Sequence, residues 1–253
     1  MSQQELEIKM ERWRYPRFFT ENISDTTAVL SGEDSKHAVQ VLRMREGDYA
    51  VICDGKGMDY LGQLSESGSE CVFDLIEKTK NEAEPSVRLR LFQAMPKSDK
   101  MEFIVQKAVE CGACEIIPFF SKRCVSRPDK KQLAKKTERY RRIAYEAAKQ
   151  CGRGMIPEVR EAVEFSALFD MLGEDNTGIL FYECAELPLS KAVSEYKQNI
   201  DIVIGSEGGF EQSEAAALAE HGFIPVSLGK RILRCETAPI AAISVLMNVT
   251  GNM

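Results

Sequence analysis

The sequence lacks several features that would place it in a common functional class. No apolar run approaches the ~18 residues of a membrane-spanning helix, and the polar start contains no signal-peptide core. Histidine is scarce, with two in 253 residues, and the eight cysteines include no second C-x-x-C beside Cys111 and Cys114. We therefore expect a cytoplasmic protein with reduced thiols and no metal site.

The two common phosphate-binding loops are also missing. The glycine-rich segment Ile204–Phe210 fits neither the P-loop pattern nor the dinucleotide fingerprint G-x-G-x-x-G. Its Glu207 places a negative charge where a phosphate would lie. A cationic or neutral ligand therefore suits this loop better than a phosphate.

The most informative feature that is present is a pair of similar loops. The segment Ile204–Phe210 follows a β-rich run and carries three glycines, which let the backbone approach a ligand closely. The segment Leu228–Ala238 repeats this build, with one glycine and then charged residues that open a helix. Because ligands of α/β proteins bind beyond the carboxyl ends of strands, the two loops predict one pocket. The alternative is two tight turns without a ligand.

Positive charge is concentrated in two regions, although the formal net charge is −6. Between Lys122 and Arg160 there are thirteen Lys and Arg against four Asp and Glu, and Arg12–Arg17 interleaves three arginines with aromatic residues. Arginine combined with aromatic residues suits phosphate contacts and base stacking, so both regions predict RNA binding. For the first region, a solvated helix face is the alternative.

Short strands separated by turns dominate residues 10–80 and predict a small barrel. The predicted strands are Ala28–Leu30, Tyr49–Cys53, Tyr60–Leu64 and Cys71–Ile76, with one helix at Ser35–Arg43. The polar segment Lys80–Pro85 resembles a linker, and residues 86–253 form the second predicted domain.

Strands and helices alternate in the second domain, which predicts a parallel sheet with helices on both faces. The predicted strands are Val87–Gln93, Cys114–Phe120, Gly178–Tyr182, Asp201–Gly205 and Ile224–Leu228. The predicted helices are Lys97–Cys111, Lys130–Cys151, Leu189–Tyr196, Glu211–His221 and Thr237–Val249. Gly112 and Gly222 occupy positions typical of helix C-caps.

The order and spacing of several motifs resemble the SPOUT superfamily of knotted methyltransferases. Within it, the chain is most similar to the bacterial family that methylates N3 of a uridine in the decoding region of 16S rRNA. The similar segments are Arg14–Arg17, His37–Arg43, Lys100–Gly112, Pro118–Arg123, Gln150–Arg153 with Pro157, Ile204–Phe210 and Leu228–Ala238. Together they cover nearly the whole chain.

The resemblance implies an N-terminal PUA-like β-barrel that binds RNA and a C-terminal α/β domain with a trefoil knot. It also implies S-adenosylmethionine (SAM) as the cofactor, a homodimer, and the small ribosomal subunit as the partner. The expected cofactor-binding residues are Tyr182, Ile204, Gly205, Glu207, Gly208, Gly209, Leu228, Gly229, Ile232, Leu233 and Thr237. Methyl transfer from SAM requires no metal.

Catalysis must remove the N3 proton of uracil or stabilise the resulting anion. We expect Arg234, Arg14 or Arg153 to stabilise the anion, and Glu236 to hold Arg234 in place. The expected RNA-binding residues are Arg12, Arg14, Arg17, His37, Arg43, Lys100 and Arg123. Two other functions remain open, namely methylation of a ribose 2′-hydroxyl and RNA binding without catalysis.

Three positions depart from the pattern of the family. Ser206 stands where proline is usual, Glu211 replaces the usual Ser or Thr helix cap, and Lys149 replaces a usual Glu. An acid at Glu211 still suits the helix dipole. We expect Lys149 to change the local charge beside the substrate.

Overall fold

The computed structural model describes residues 14–173, 175–192 and 196–253, and the chain divides into two compact units. The first unit comprises the chain up to Glu84 together with Ala148–Ile156, and the second comprises Pro85–Ala147 and Pro157–Met253. Within the described ranges, none of the helices combines the length and apolarity needed to cross a bilayer.

The first unit contains a five-stranded sheet in the order β1-β3-β4-β5-β2. Its strands are β1 (Arg17–Phe19), β2 (Thr27–Leu30), β3 (Tyr49–Cys53), β4 (Met58–Glu66) and β5 (Cys71–Lys80). Only the β1–β3 pair is parallel among them. The four predicted strands are confirmed. The strand β1 was not predicted because three residues are too few to show an alternating pattern.

The predicted helix Ser35–Arg43 is wrong at both boundaries. The helix α1 spans Gly32–Lys36, and a π-helical turn over His37–Val41 follows it. The N–H of Met44 then donates to the Ala38 carbonyl at 3.0 Å, and the Met44 side chain joins the hydrophobic core. Burial of Met44 therefore draws the chain out of the helix, and Arg43 adopts a φ of 56°.

The second unit contains a sheet in the order β12-β10-β11-β6-β7-β8, in which β9 also pairs with β7. Its strands are β6 (Arg88–Ala94), β7 (Glu115–Phe120), β8 (Glu158–Val159), β9 (Val163–Glu164), β10 (Thr177–Phe181), β11 (Asn199–Ile204) and β12 (Ile224–Val226). Every pairing is parallel, which confirms the predicted parallel sheet. All residues of β7 and β10 are buried, as in a sheet covered on both faces.

The helices from Lys100 onward follow the predicted pattern, and three of the five differ from the prediction at one or both ends. They are α2 (Lys100–Glu110), α3 (Lys130–Cys151), α4 (Leu189–Ala192), α5 (Gln212–Glu220) and α6 (Thr237–Val249), and a 3₁₀ turn spans Phe165–Leu168. The predicted extension of α4 through 193–195 lies outside the described residues. The helix α2 starts three residues later than predicted because Ser98 has a φ of 57°, which a right-handed helix excludes.

Glycines and acids end and begin these helices as the sequence indicates. Gly112 and Gly222 have φ values of 104° and 85°, so both serve as left-handed C-caps. At the start of α5, the Glu211 side chain accepts from a helix N–H while Glu214 accepts from the Glu211 N–H, forming a capping box. An acid thus performs the capping role at position 211.

A buried ion pair joins the two central strands of the second sheet. Arg90 on β6 lies opposite Asp201 on β11 and donates to both of its carboxylate oxygens, at 2.6 and 2.7 Å. Asn176 donates to the same carboxylate at 2.8 Å, and the Asp201 side chain is only 1% exposed. The bidentate geometry compensates for the loss of water around both charges.

We predict that Arg90→Met strongly destabilises the protein. The substitution leaves the Asp201 carboxylate buried with one remaining side-chain donor, and removal of one partner of a buried pair costs about 3–5 kcal/mol. Arg88→Met is the matched control because Arg88 lies on the same strand and is exposed. Urea denaturation of both variants measures the difference. Equal unfolding free energies would show that the pair contributes nothing.

Candidate active site

A cavity of about 1080 Å³ opens in the second unit beyond the carboxyl ends of three strands. The strands β12, β10 and β11 are neighbours and run in parallel, so the loops that follow them leave the sheet on the same edge. The cavity is lined by Phe181–Glu183, Ala185, Glu186, Pro188, Ile204–Phe210, Val226–Cys235, Ala238 and Lys100.

Ten of the eleven predicted cofactor-binding residues line this cavity. They are Tyr182, Ile204, Gly205, Glu207, Gly208, Gly209, Leu228, Gly229, Ile232 and Leu233. Thr237, the first residue of α6, is not among the lining residues. The structure therefore brings the two loops of the sequence analysis together.

Close packing explains the glycines of the first loop, Ile204–Phe210. A Cβ atom on Gly205 would lie 3.1 Å from the Gly209 Cα and from the Phe210 ring. A Cβ atom on Gly208 would lie 3.0 Å from the Arg123 Cβ. Gly209 has a φ of 63°, and its N–H closes a turn onto the Ser206 carbonyl at 3.0 Å. Larger side chains would therefore displace this loop.

Arg123 holds the first loop from outside the cavity. Its guanidinium donates to the Gly208 carbonyl at 3.0 Å. The prediction that Arg123 binds RNA did not include this contact. The side chain remains exposed, so the contact and an RNA-binding role can coexist.

One ammonium group connects the first loop with the second, Leu228–Ala238. Lys100, at the start of α2, lies 2.9 Å from a Glu207 carboxylate oxygen and 3.1 Å from a Glu236 carboxylate oxygen. The backbone N–H of Lys97 also donates to both Glu207 oxygens at 3.2 Å. The Cys235 thiol donates to Glu236 at 3.2 Å and lies 3.8 Å from the Lys100 nitrogen.

The charges of this cluster stabilise one another. Burial alone would raise the pKa of Glu207 and of Glu236, but hydrogen bonds outweigh burial and lower both pKa values below the ordinary value. Hydrogen bonds to Glu207 and Glu236 raise the pKa of Lys100. Burial raises the pKa of the Cys235 thiol to about 12, so this thiol is neutral at physiological pH.

The prediction that Glu236 holds Arg234 in place is wrong. The Glu236 carboxylate pairs with Lys100 instead. The Arg234 carbonyl accepts the N–H groups of Thr237 and Ala238 at 2.9 Å, while its side chain is exposed and the residue lines the cavity. Within the described residues, no side chain pairs with the Arg234 guanidinium. Its charge is therefore available to a ligand.

Two arginines that were assigned to RNA binding or catalysis have structural roles in the first unit. Arg17 pairs with Asp59 at 2.6 Å, and its side chain is 14% exposed. Arg153 pairs with Glu84 at 2.7 Å, and its side chain is 4% exposed. Each guanidinium is paired with a carboxylate, and that of Arg153 is also buried, so little of either charge is left for a substrate. We therefore correct both assignments.

The remaining predicted RNA-binding residues differ in their surroundings. Arg14 and Arg43 are exposed, and His37 is half-buried with its ring 6.2 Å from the Phe18 ring, edge to face. Arg12 lies outside the described residues. Lys149, expected near the substrate, pairs with Asp34 at 2.9 Å within the first unit, and its side chain is 8% exposed. This pairing leaves little of its charge for a substrate.

The sequence analysis missed several residues of the cavity wall. Glu183, Glu186, Lys230 and Arg231 line the cavity, and all four are exposed. A Cβ atom on Gly209 would lie 2.6 Å from a Glu183 carboxylate oxygen, so this acid packs against the first loop. Its position directly after β10 was the available signal, because residues at the ends of parallel strands face ligands.

The basic segment of the sequence forms an exposed stripe on α3. Lys131, Lys135, Arg139 and Arg142 recur at intervals of three or four residues and are exposed. Arg139 also pairs with Glu102 at 2.6 Å, yet its side chain remains 64% exposed. Residues at this spacing share one face of a helix, so the stripe presents its charges in one direction.

Comparison with known proteins places this fold and site in one family. An RNA methyltransferase domain model matches residues 83–247, and an RNA methyltransferase PUA domain model matches residues 30–76. The ribosomal RNA small subunit methyltransferase E of Bacillus subtilis is 35% identical over 228 residues, which cover 87% of this chain and 89% of the relative.

Solved structures agree with this result. A ribosomal RNA small subunit methyltransferase E from Neisseria gonorrhoeae, bound to S-adenosyl methionine, is 30% identical and superposes with a TM-score of 0.86 over 93% of this chain and 98% of its own. A methyltransferase from Legionella pneumophila in complex with SAM is 28% identical, with a TM-score of 0.84 over 93% and 98% of the two chains. The fold and cavity thus define an RNA methyltransferase with an N-terminal PUA-like domain. The chain belongs to the ribosomal RNA small subunit methyltransferase E family.

We predict that the ion pairs of Lys100 with Glu207 and Glu236 contribute a constant amount to the free energy of unfolding over a broad pH range. A lowered folded pKa of Glu207 and Glu236 stabilises the fold above the ordinary Glu pKa of about 4.3, and this contribution disappears as the pH falls through the lowered values. The raised pKa of Lys100 acts in the opposite sense, so its contribution is complete below about 10.4 and disappears at higher pH.

The measurement compares urea unfolding of the wild type with that of a Glu207→Gln/Glu236→Gln double variant across the pH range. The difference in unfolding free energy should stay constant between about pH 6 and about pH 9 and shrink at both extremes. A difference that changes within the plateau would contradict the assigned pairing.

Proposed function

We propose that this protein transfers the methyl group of SAM to N3 of a uridine in the decoding region of 16S rRNA, acting in the cytoplasm on the small ribosomal subunit. The observation that carries the proposal is the cavity formed by the loops after β10, β11 and β12. The relatives named for small subunit rRNA methylation, and the neighbour bound to SAM, support it.

The cavity fits SAM in size and charge. Its volume of about 1080 Å³ is at the upper end of the range for small-molecule sites. The exposed carboxylates of Glu183 and Glu186 line the wall and suit a cationic centre, while Lys230, Arg231 and Arg234 on the same wall suit anionic groups. The close-packed glycines of the first loop let its backbone approach a ligand closely. When bound, SAM supplies a methyl group activated by a sulfonium.

Arg234 is the residue of the cavity best suited to assist the acceptor. Uracil N3 carries a proton at neutral pH, and its loss leaves a negative charge on the ring. The exposed, positively charged guanidinium of Arg234 can stabilise this negative charge and so lower the barrier to methyl transfer. Arg14, in the first unit, is proposed as the second candidate on the resemblance to the family alone. The buried Arg153 is not proposed for this role.

RNA binding is proposed for both units. In residues 10–80, proposed to close into a PUA-like barrel, the exposed Arg14 and Arg43 and the half-buried His37 supply contacts. In residues 86–253, the stripe on α3 supplies phosphate contacts, which form the salt-dependent part of RNA affinity. Arg12 is also proposed as an RNA contact, on the alternation of arginines and aromatic residues in Arg12–Arg17 alone.

Two features implied by the resemblance belong to the proposal, a trefoil knot and a homodimer. The knot rests on the resemblance, and the order β12-β10-β11 shows that the connection from β11 to β12 crosses over β10. Half-exposed apolar side chains on α2 and α6 support a dimer contact in the second unit, namely Phe103 (46%), Val245 (40%) and Val249 (42%). Exposed apolar side chains mark protein interfaces where they form a common patch.

The test is methyl transfer from labelled SAM to small ribosomal subunits of a strain that lacks the activity. We predict labelled 3-methyluridine at one nucleotide. Gly208→Val should abolish SAM binding and transfer, because its side chain meets Arg123 and displaces the first loop. Gly68→Val is the control, since Gly68 lies in the first unit, has no left-handed φ, like Gly208, and its Cβ position is 3.7 Å from the nearest neighbour. Label on a ribose 2′-oxygen, or no label, would overturn the proposal.

We predict that Arg234→Ala lowers the single-turnover methylation rate by about 100-fold or more, as loss of one charge-stabilising donor does elsewhere. SAM and RNA affinities should change little, because the guanidinium acts mainly in the transition state. Lysine should restore little of the rate, since a point charge does not reproduce a planar fork. An unchanged rate with weaker SAM or RNA binding would assign Arg234 to binding and leave Arg14 as the candidate.

A further inference from the structure

We infer that Lys100 is a positioning residue that couples the two loops of the cavity, so that the ligand-binding wall assembles as one unit. The inference rests on the proposed binding of SAM in this cavity. It assigns to Lys100 a role different from the RNA contact expected from sequence.

The geometry of the ammonium group carries the inference. The Lys100 nitrogen lies 2.9 Å from Glu207 in the first loop and 3.1 Å from Glu236 in the second. These carboxylates are far apart in sequence and belong to segments that follow β11 and β12. Lys100 itself starts α2, whose buried face packs into the core through Met101, Ile104 and Val105. The two loops are thus fixed to a third, rigid element.

The hydrogen-bonding capacity of Lys100 is used within the cluster. An ammonium group has three donors. Two of them are satisfied by Glu207 and Glu236, and the Cys235 sulfur lies 3.8 Å away as a weak acceptor. A phosphate could bind Lys100 only by displacing a carboxylate. The RNA-binding assignment of Lys100 is therefore disfavoured by its contacts.

Electrostatics make the coupling strong. Without Lys100, two carboxylates that share one partner would face each other, and like charges at short range repel. The Lys97 N–H holds Glu207 independently, whereas Glu236 has the neighbouring Cys235 thiol as its other side-chain donor. Loss of Lys100 should therefore release the second loop more than the first.

The effect on SAM binding follows from this asymmetry. Leu228, Gly229, Ile232 and Leu233 of the second loop line the cavity. If this loop is released, it must become ordered when SAM binds, and the entropy lost in that step lowers the affinity for SAM. This effect does not require Lys100 to touch the ligand. The residue should act through loop position and not through charge alone.

Calorimetric titration with SAM, in the absence of RNA, tests the inference on Lys100→Met and Lys100→Arg. We expect Lys100→Met to weaken SAM binding about 10-fold or more, and Lys100→Arg to restore most of the affinity because a guanidinium can bridge two carboxylates. Lys80→Met is the charge-matched control, since Lys80 is exposed at the end of β5 in the first unit. Its SAM affinity should equal that of the wild type.

A double-mutant cycle on Glu207→Gln and Glu236→Gln keeps the inference testable if Lys100→Met fails to fold. In the wild-type background, the two substitutions should be non-additive in SAM affinity because both act through one ammonium group. In the Lys100→Arg background the non-additivity should persist. Additive effects in both backgrounds would overturn the coupling.

Two further outcomes separate this inference from the proposed function. If the wild type does not bind SAM, the proposed function fails. If the wild type binds SAM and Lys100→Met binds equally well, the coupling is refuted while the proposed function stands. Unchanged SAM affinity together with weaker RNA binding would restore Lys100 to the RNA-binding residues.

Discussion

The parallel register of three neighbouring strands determines where the site lies. Phe181 at the end of β10 pairs with Ile204 at the end of β11 and with Val226 at the end of β12. The three strands therefore stop at one level, and the loops after them converge on one cavity. The buried pair of Arg90 and Asp201 fixes β11 against β6, so the position of the first loop depends on it. Every other feature of the site is built on this alignment.

Charges of both signs occur at the cavity, whereas the exposed face of α3 is basic. Three acidic side chains line the cavity wall, and one of them, Glu207, is paired with Lys100. Basic side chains form the stripe on α3 and the exposed positions Arg234 and Lys230 at the cavity. The acids of the wall would attract a cationic cofactor, and the arginine and lysines at the cavity and on α3 would attract a polyanionic substrate. This arrangement agrees with a reaction in which both must bind at once.

Sequence patterns predicted the elements of the fold well and the partners of charged residues poorly. The helices Lys130–Cys151 and Thr237–Val249 were predicted at their observed bounds, because long periodic segments carry a clear signal. The two-residue strands β8 and β9 were missed, because they are too short to show a period. The π-helical turn was missed because burial of Met44 decides where the helix ends.

Arg17, Lys100 and Arg153 have partners that the sequence does not reveal. Arg17, Lys100 and Arg153 lie in motifs of the family, but each pairs with a carboxylate 42 to 136 residues away. Sequence shows the presence of a charge and not its partner, so a paired cation and a free cation look alike. Arg234 differs because its surroundings leave its charge available to a ligand, and only the structure could distinguish it from Arg153.

The central claim is that loops after three parallel strands form one SAM site. Hydrogen–deuterium exchange with and without SAM tests it most directly, because backbone N–H groups of all three loops report separately. The account predicts that SAM slows exchange in residues 181–188, 204–210 and 226–238 together, with little change in the first unit. Protection of only one loop, or protection confined to residues 14–84, would contradict a single site built on this strand alignment.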